Sequence, residues 1–481
     1  MKRHIYQLIF AGLLLSASSC SKSRLNPVST TAVPYEAKFE TPERIANLVN
    51  GFYSSLKSGN LLGGRYQIYN DVRGENFLNR TNNGVTALLI WNFTVTGSDA
   101  EINNTWNAAY STINNVNIFL DGMEKEGNAV VGDDQAKKYN AEAKFVRALS
   151  YYSLLQLYAQ PYTKDNGASP GVPLRLTPIT TAGFNDLARS SVSDVYKQII
   201  TDLNDAEADL PDDYDDDAMN TTHAHVNTAI ALKVRAYLSM GDWDHVISEA
   251  NKIVTPAAPF TAPTGVPFAL QDDIKLVFSG YTTTESILSM PFTGANEQPG
   301  TQNQLALYYL PTSLGGGGEF YLNLKGVVIE PSWKQTDARR GFITDSVSGR
   351  LYLKKYPSGS PYLDWAPVMR YPEVLLSLAE ARARSTNSID AQAIALLNAV
   401  RHRSDATTTF TAANFADANA LVNQIITERN IEFLGEGVRN MDIMRLGLPF
   451  PAKGSVKAVP ASDPAYIFPA PTSETQYNHL W

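Results

Sequence analysis

The densest group of side chains able to do acid–base chemistry lies near the C-terminus, where Glu428, Arg429, Glu432, Glu436, Arg439, Asp442 and Arg445 fall in one short stretch. Paired carboxyl groups, one acid and one base or nucleophile, are what glycoside hydrolysis requires. Glu428 and Glu432, however, lie four residues apart on one helical side with arginines among them, which favours ion pairs across helices. Glu142 and Arg147 read the same way. The six histidines offer no metal-ligand spacing beyond His223-x-His225, and no HExxH-like motif completes that pair. Gly315–Gly318 lacks the following Lys-[Ser/Thr] and the strand–helix context of a phosphate loop, and no serine nucleophile elbow occurs. The acidic run Asp212, Asp213, Asp215, Asp216 and Asp217 departs from the calcium-loop pattern. Counted from Asp213, Ala218 stands where a Gly is needed and Ala224 where a Glu is needed. It reads as a solvated acidic turn. No metal, cofactor or catalytic residue is assigned.

Binding chemistry is better supplied. The chain carries 24 tyrosines and only 18% charged residues. An aromatic ring stacks on the apolar face of a sugar, while amides, carboxylates and guanidinium groups bond its hydroxyls. Candidates in the first Gly- and Asn-rich region, Gly59–Gly97, are Asp71, Arg73, Trp91 and Asn92. In the second, Tyr308, Tyr309, Tyr321 and Trp333 belong to a Pro-, Gly- and Tyr-rich stretch over 256–367. Their use together requires the two regions to converge on one face. The net charge of −8, with no Lys/Arg cluster, excludes a nucleic-acid partner.

One further residue carries chemistry of a different kind. Lys2 and Arg3 precede an apolar run from Leu8 to Leu15, and Ser16-Ala17-Ser18-Ser19 then leads to Cys20, the sole cysteine. This is the plan of a secretory signal over 1–19. A solitary Cys at the cleavage position makes no internal disulfide and matches the acylated cysteine of a bacterial lipoprotein. Several acyl chains, such as palmitate, give a stable membrane anchor. No later apolar run reaches the ~18 residues needed to span a bilayer.

The elements that position these groups are helical. In Asn227–Val254, the residues Trp243, Val246, Ile247, Ala250, Ile253 and Val254 form one helical face, preceded by Ile230, Val234, Tyr237 and Leu238 on another. Gly241 ends the first helix and Asp242 caps the second. Such a tetratricopeptide-like pair cannot bury its apolar surface alone, so others must stack on it. Thr41-Pro42-Glu43 starts a helix reaching about Leu56. Asn104–Met123, Lys137–Tyr158 and Val195–Leu210 follow, then Arg370–Ala383, Asp390–Arg403 and Asn419–Phe433. Apolar residues nearly encircle Lys137–Tyr158, which should be central. Gly59–Gly97 reads as a long loop. In 256–367 the helical rhythm disappears, leaving strand-like runs at Ser286–Phe292 and Lys325–Ile329 and a flexible tip at Leu314–Gly318. The predicted fold is mainly α, with helix pairs forming a scaffold and a loop-rich insertion containing short strands. The expected plan is a signal at 1–19, a tether at 20–40 and one domain at 41–481. Its scaffold spans 41–255 and 368–450, and its insertion 256–367.

Ordered motifs span most of this plan. They include Arg370-Tyr371-Pro372-Glu373-Val374-Leu375-Leu376, Ala379-Glu380-Ala381, Leu397-Asn398-Ala399-Val400-Arg401 and Glu428-Arg429-Asn430-Ile431-Glu432-Phe433, continuing through Gly435-Glu436-Gly437-Val438-Arg439-Asn440-Met441-Asp442 to Arg445. Leu25-Asn26-Pro27, Trp106 with Tyr110, Ile113 and Asn117, Glu142-Ala143-Lys144-Phe145-Val146-Arg147-Ala148, Gly241-Asp242-Trp243 and Phe468-Pro469-Ala470-Pro471 agree. In combination they resemble the SusD/RagB family of outer-membrane nutrient-binding lipoproteins. The resemblance implies a tetratricopeptide-like scaffold with a loop-rich ligand face and no enzymatic activity. It implies capture of glycans, or sometimes peptides, and delivery to a SusC-like TonB-dependent outer-membrane transporter. It also implies a place on the cell's outer membrane, lipid-anchored and facing the exterior. Ser21-Lys22-Ser23-Arg24 is basic where such exported lipoproteins often carry acids. A glycan-cleaving helical enzyme and a protein-binding adaptor are the competing classes.

Overall fold

The computed structural model describes residues 36–481 apart from 182, 184, 295 and 296. The expected signal segment, Cys20 and the tether up to residue 35 lie outside the described residues.

Helix α1 (Pro42–Leu56) opens where the sequence places it, with Pro42 in its first turn and the Thr41 side chain accepting from the Arg44 amide. Ile45, Val49, Phe52, Tyr53 and Leu56 form its buried face. Then come α2 (Arg65–Val72), strand β1 (Phe77–Asn79), α3 (Ala100–Gly122) and α4 (Asp133–Tyr158). Strands β2 (Pro170–Pro173) and β3 (Arg189–Ser191) precede α5 (Val192–Asp209), α6 (Val226–Met240) and α7 (Trp243–Ala250). The insertion contributes β4 (Ser286–Met290) and β5 (Phe320–Leu322), and β6 (Ala366–Arg370) leads out of it. Helices α8 (Tyr371–Ser385), α9 (Ala391–Ser404), α10 (Ala418–Glu432) and α11 (Arg439–Arg445) complete the scaffold.

Successive helices pack on one another from α3 to α7. Past the insertion, α8 packs against α7, and α9 and α10 against α8, so the array is continuous across more than a hundred intervening residues. Helix α4 is central as its composition predicts: from Ala141 to Tyr158 only Lys144 is less than fully buried. The hydroxyls of Ser150 and Ser153 inside it donate to carbonyls one turn back, so their burial leaves no orphaned donor. At the α6–α7 turn Gly241 takes φ 72°, a left-handed conformation that costs a glycine nothing, and Asp242 caps α7 by accepting from the His245 amide at 3.3 Å.

Three expectations are corrected. Gly59–Gly97 is no open loop: it holds α2 and β1, and every residue of α2 is buried. A helix surrounded on all sides shows no apolar stripe, which hides it from periodicity. Lys325–Ile329 forms no strand, and Val327–Ile329 makes a single 3₁₀ turn instead. The glycine tip is tied down, since the amides of Gly316, Gly317 and Gly318 donate to Pro311, Leu307 and Leu310 carbonyls. A Cβ on Gly316 would meet the Leu310 oxygen at 2.0 Å, so glycine is there for close approach.

Two antiparallel ribbons set the insertion on the scaffold. Strand β1 pairs with β5, with Leu78 opposite Tyr321, and β4 pairs with β6, with Ser286 opposite Arg370. Replacing Asp242 by Ala removes the cap joining α6 to α7 and should lower stability by about 1 kcal/mol. A urea titration with unchanged slope and a lower midpoint would report it.

Candidate functional site

The two regions expected to converge do so. Besides the β1–β5 ribbon, the Tyr309 hydroxyl donates to Asp71 at 3.2 Å, Arg65 to Asn303 at 2.6 Å, and the Val327 amide to Asn76 at 3.0 Å. The residues singled out for ligand contact mostly line the inside of this junction. Asp71, Arg73, Trp91, Tyr308, Tyr309 and Trp333 are buried, so their side chains pack the junction and do not face a ligand at the surface. Asp71 accepts from the Gly437 amide at 3.0 Å as well as from Tyr309. Burial outweighs these bonds and pushes its carboxyl up to about 8. The Arg73 guanidinium lies among the rings of Phe93, Phe450 and Phe468, 4.6–5.2 Å from their centroids, and desolvation lowers it to about 9. The Trp91 indole donates to the Phe77 carbonyl at 2.9 Å, and the Arg340 guanidinium covers the Trp333 ring at 4.1 Å. The buried Tyr308 hydroxyl has no hydrogen-bond partner among the described residues. Only Asn92 and Tyr321 of the candidates reach the surface, both half-buried.

A different set of aromatic groups faces outward. Because Phe77 and Leu322 turn into the core, Leu78 and Tyr321 turn out. Tyr321 lies 5.1 Å from the Arg350 guanidinium and 6.3 Å from the Tyr352 ring. On the adjoining strand end, Arg80 donates to the carbonyls of Gly318 and Gly317. Neither Arg80 nor Arg350 has a carboxylate ion-pair partner among the described residues. The Gly315 turn abuts Gly359, where an added Cβ would stand 3.2 Å from the Gly359 Cα, and so joins this surface to the 357–365 loop. There Tyr281 and Trp365, both half-buried, stack with centroids 5.1 Å apart and planes 7° from parallel. Asp364 holds the arrangement, accepting from the Tyr281 hydroxyl at 3.2 Å and from the amide and hydroxyl of Ser358, each at 2.9 Å. Tyr281 and Tyr362 have φ of 59° and 61°, a left-handed conformation that is strained for a bulky side chain and persists only where the surrounding structure over-determines the backbone. Tyr281 and Tyr362 stand among the insertion aromatics in the sequence. The signal that marks Tyr362 and Trp365 is the turn chemistry of Tyr356-Pro357-Ser358-Gly359-Ser360-Pro361, and no comparable signal marks Tyr281.

Beneath the ribbon lies the acid–base cluster. Glu428 is held by Arg339 at 2.7 Å and by Arg401, and Glu432 by Arg370, Arg339 and Arg403 at 2.6–2.9 Å. Glu436 accepts from Lys355 and Arg370 at 2.8 and 2.7 Å. Burial alone would raise the Glu432 carboxyl, but Arg403, Arg370 and Arg339 outweigh it and hold it well below the usual range. Carboxylates committed to two or three cations and shut off from water cannot exchange protons with a substrate. Arg147 pairs with Asp202 at 2.7 Å, as its sequence reading implies, whereas Glu142 meets no arginine and accepts from the Tyr53 hydroxyl at 2.7 Å. No group of His, Cys, Asp and Glu among the described residues could hold a metal ion.

Comparison with known proteins follows the same division. A family described as "Starch-binding associating with outer membrane" matches residues 25–238, and the SusD family matches 338–479. A SusD-like protein, P25, of Formosa agariphila is 22% identical over 92% of this chain and 89% of its own length. A SusD superfamily protein of Bacteroides fragilis, known from its crystal structure, is 33% identical over 92% of this chain and 99% of its own, with a TM-score of 0.82. The surface glycan-binding protein A of Bacteroides thetaiotaomicron, solved with laminarihexaose, shares the fold at 16% identity, 92% and 98% coverage and a TM-score of 0.71.

Asp71 supplies a test of the junction. Its carboxyl keeps a proton to about pH 8 in the folded protein, against an ordinary value of 3.8. Within that window the native state binds more protons than the unfolded chain, so stability falls as pH rises, by at most about 1.4 kcal/mol per unit. Asp71→Asn keeps an acceptor for Gly437 and removes the titration. Urea midpoints taken from pH 5 to 8 should decline less steeply in the variant, and parallel profiles would show that Asp71 is not neutral inside.

Proposed function

The chain belongs to the SusD family, and on that premise we propose that it binds glycans, as oligo- or polysaccharide, at the cell surface without cleaving them. The observation that carries the reading is the half-buried, stacked aromatic pair Tyr281/Trp365, with Tyr321 beside Arg350 on the adjoining ribbon. A sugar ring lays its apolar C–H face on these rings, while Arg80, Arg350 and neighbouring amides meet its hydroxyls. Asn92, the other surface candidate from the sequence, is assigned a peripheral contact. A relative solved with laminarihexaose supports this class of ligand. The non-catalytic character is supported by the engagement of Glu428, Glu432 and Glu436 in buried ion pairs.

In this reading Cys20 is acylated and anchors the mature chain to the outer membrane, and the bound glycan passes to a SusC-like TonB-dependent transporter. No helix among the described residues is long and apolar enough to cross a membrane.

Stacking on one aromatic ring contributes about 0.5–1.5 kcal/mol beyond buried area. Trp365→Ala and Tyr321→Ala should therefore each weaken retention in a glycan-affinity gel severalfold, and the double variant should abolish it. Unchanged mobility of the double variant across a panel of polysaccharides would reject this face. Cys20→Ser should move the protein from the membrane to the soluble fraction and remove fatty-acid labelling. A protein that stays membrane-bound after this change would refute the anchor.

A further inference from the structure

A second opening lies on the scaffold, apart from the loop face and sharing no lining residue with it. It is a cavity of about 540 Å³ between α1, the first half of α4 and the acidic turn before α6. That volume is within the range of small-molecule sites.

Its floor is Glu142, 6% exposed, whose Oε2 accepts from Tyr53 at 2.7 Å and whose other oxygen takes no hydrogen bond from the described residues. Comparably buried Glu373 and Glu428 face guanidinium groups, whereas Glu142 has no ion-pair partner among the described residues. One wall is His223, its ring tilted against that of Tyr53 with centroids 4.2 Å apart. Burial depresses the imidazole to about 4, so it adds no positive charge at neutral pH. Tyr139 and Tyr214 supply half-buried aromatic sides, and Tyr214 is fixed through its hydroxyl to the Ala224 carbonyl at 2.8 Å. The rim bears the exposed carboxylates Asp213 and Asp215 against a single ammonium, Lys138, and no arginine lines the space.

A buried carboxyl lacking a cation, aromatic walls and an acidic mouth are the complement of a positively charged organic group. We propose that this cavity binds a small molecule or side chain bearing a primary ammonium group, the ammonium against Glu142 and the attached carbon frame between Tyr139 and Tyr214. The acidic turn, solvated by its sequence pattern, then acts as the electrostatic entrance. An amino sugar and a lysine side chain both present this chemistry.

The test is binding of three probes to the full mature chain, read by saturation-transfer NMR and calorimetry: glucosamine, its uncharged counterpart N-acetylglucosamine, and Nα-acetyl-lysine methylamide. Glucosamine, the lysine derivative or both should bind, with N-acetylglucosamine at least tenfold weaker than glucosamine if the source is a sugar. Glu142→Gln should reduce the affinity at least tenfold. Asp213→Asn with Asp215→Asn, on an exposed turn where folding is not at stake, should reduce it severalfold. Failure of both amines to bind, affinity equal to that of the neutral sugar, or affinity unchanged in both the Glu142 and the rim variants would overturn the proposal.

Discussion

A desolvated network of ten charges holds the insertion to the scaffold. Arg339, Arg370, Arg401, Arg403 and Lys355 face Asp337, Glu285, Glu428, Glu432 and Glu436, five cations against five carboxylates. They come from the residue preceding β4, the 337–339 turn, the bend at 355, the β6–α8 junction, α9, and α10 with the turn beyond it. Removing these groups from water costs several kcal/mol per ion, and the cost is recovered only where each fork meets its partner in good geometry. Deleting one member leaves an uncompensated buried charge, typically a loss of about 3–5 kcal/mol. An apolar core of the same volume would be at least as stable. What the network adds is position, because a guanidinium accepts only carboxylates arranged to fit its plane. Six separate stretches of chain are thereby assigned to one place.

A second set extends this control to the helices. Arg445 pairs with Glu380 and Asp442, at 2.7 and 2.8 Å, and Arg429 reaches Asp442 at 3.1 Å, so α8, α10 and α11 are clamped together. Lys453 ties down the end of α2, donating to the carbonyls of Val72, Arg73 and Gly74, while burial and the neighbouring Arg73 guanidinium hold its ammonium well below the usual lysine range. Short ribbons and tight glycine turns make few ladder hydrogen bonds, and the buried charges supply the rigidity they lack. Half-buried rings on such a floor lose little freedom when a ligand arrives, which favours binding by preorganised stacking.

The division between the loop face and the scaffold cavity has an electrostatic side. Arginines on the loop face that lack carboxylate partners offer donors to hydroxyl-bearing ligands. The cavity inverts this, with a buried carboxyl that lacks an arginine. One fold therefore presents a loop surface and a scaffold cavity of opposite chemical bias.

The positions of the long helices, the helix starts at Thr41 and Asp242, the centrality of α4 and the pairing of charges near Glu428–Arg445 were determined by the sequence alone. Each is written in residues three or four apart or in a short run of types, and such signals survive without knowledge of the rest of the chain. The direction of the aromatic side chains was decided only in three dimensions. Tyr309 turns inward because Asp71, 238 residues earlier, waits for its hydroxyl, and Trp91 is covered by the turn at Gly454. Tyr281 and Trp365 turn outward because loops brought together from distant parts of the sequence meet around Asp364. Helix α2 stayed hidden for the same reason, being enclosed by partners on every side. Local periodicity records which way a helix faces its neighbours, but the side of a loop that meets water is set by whatever the remainder of the chain brings against it.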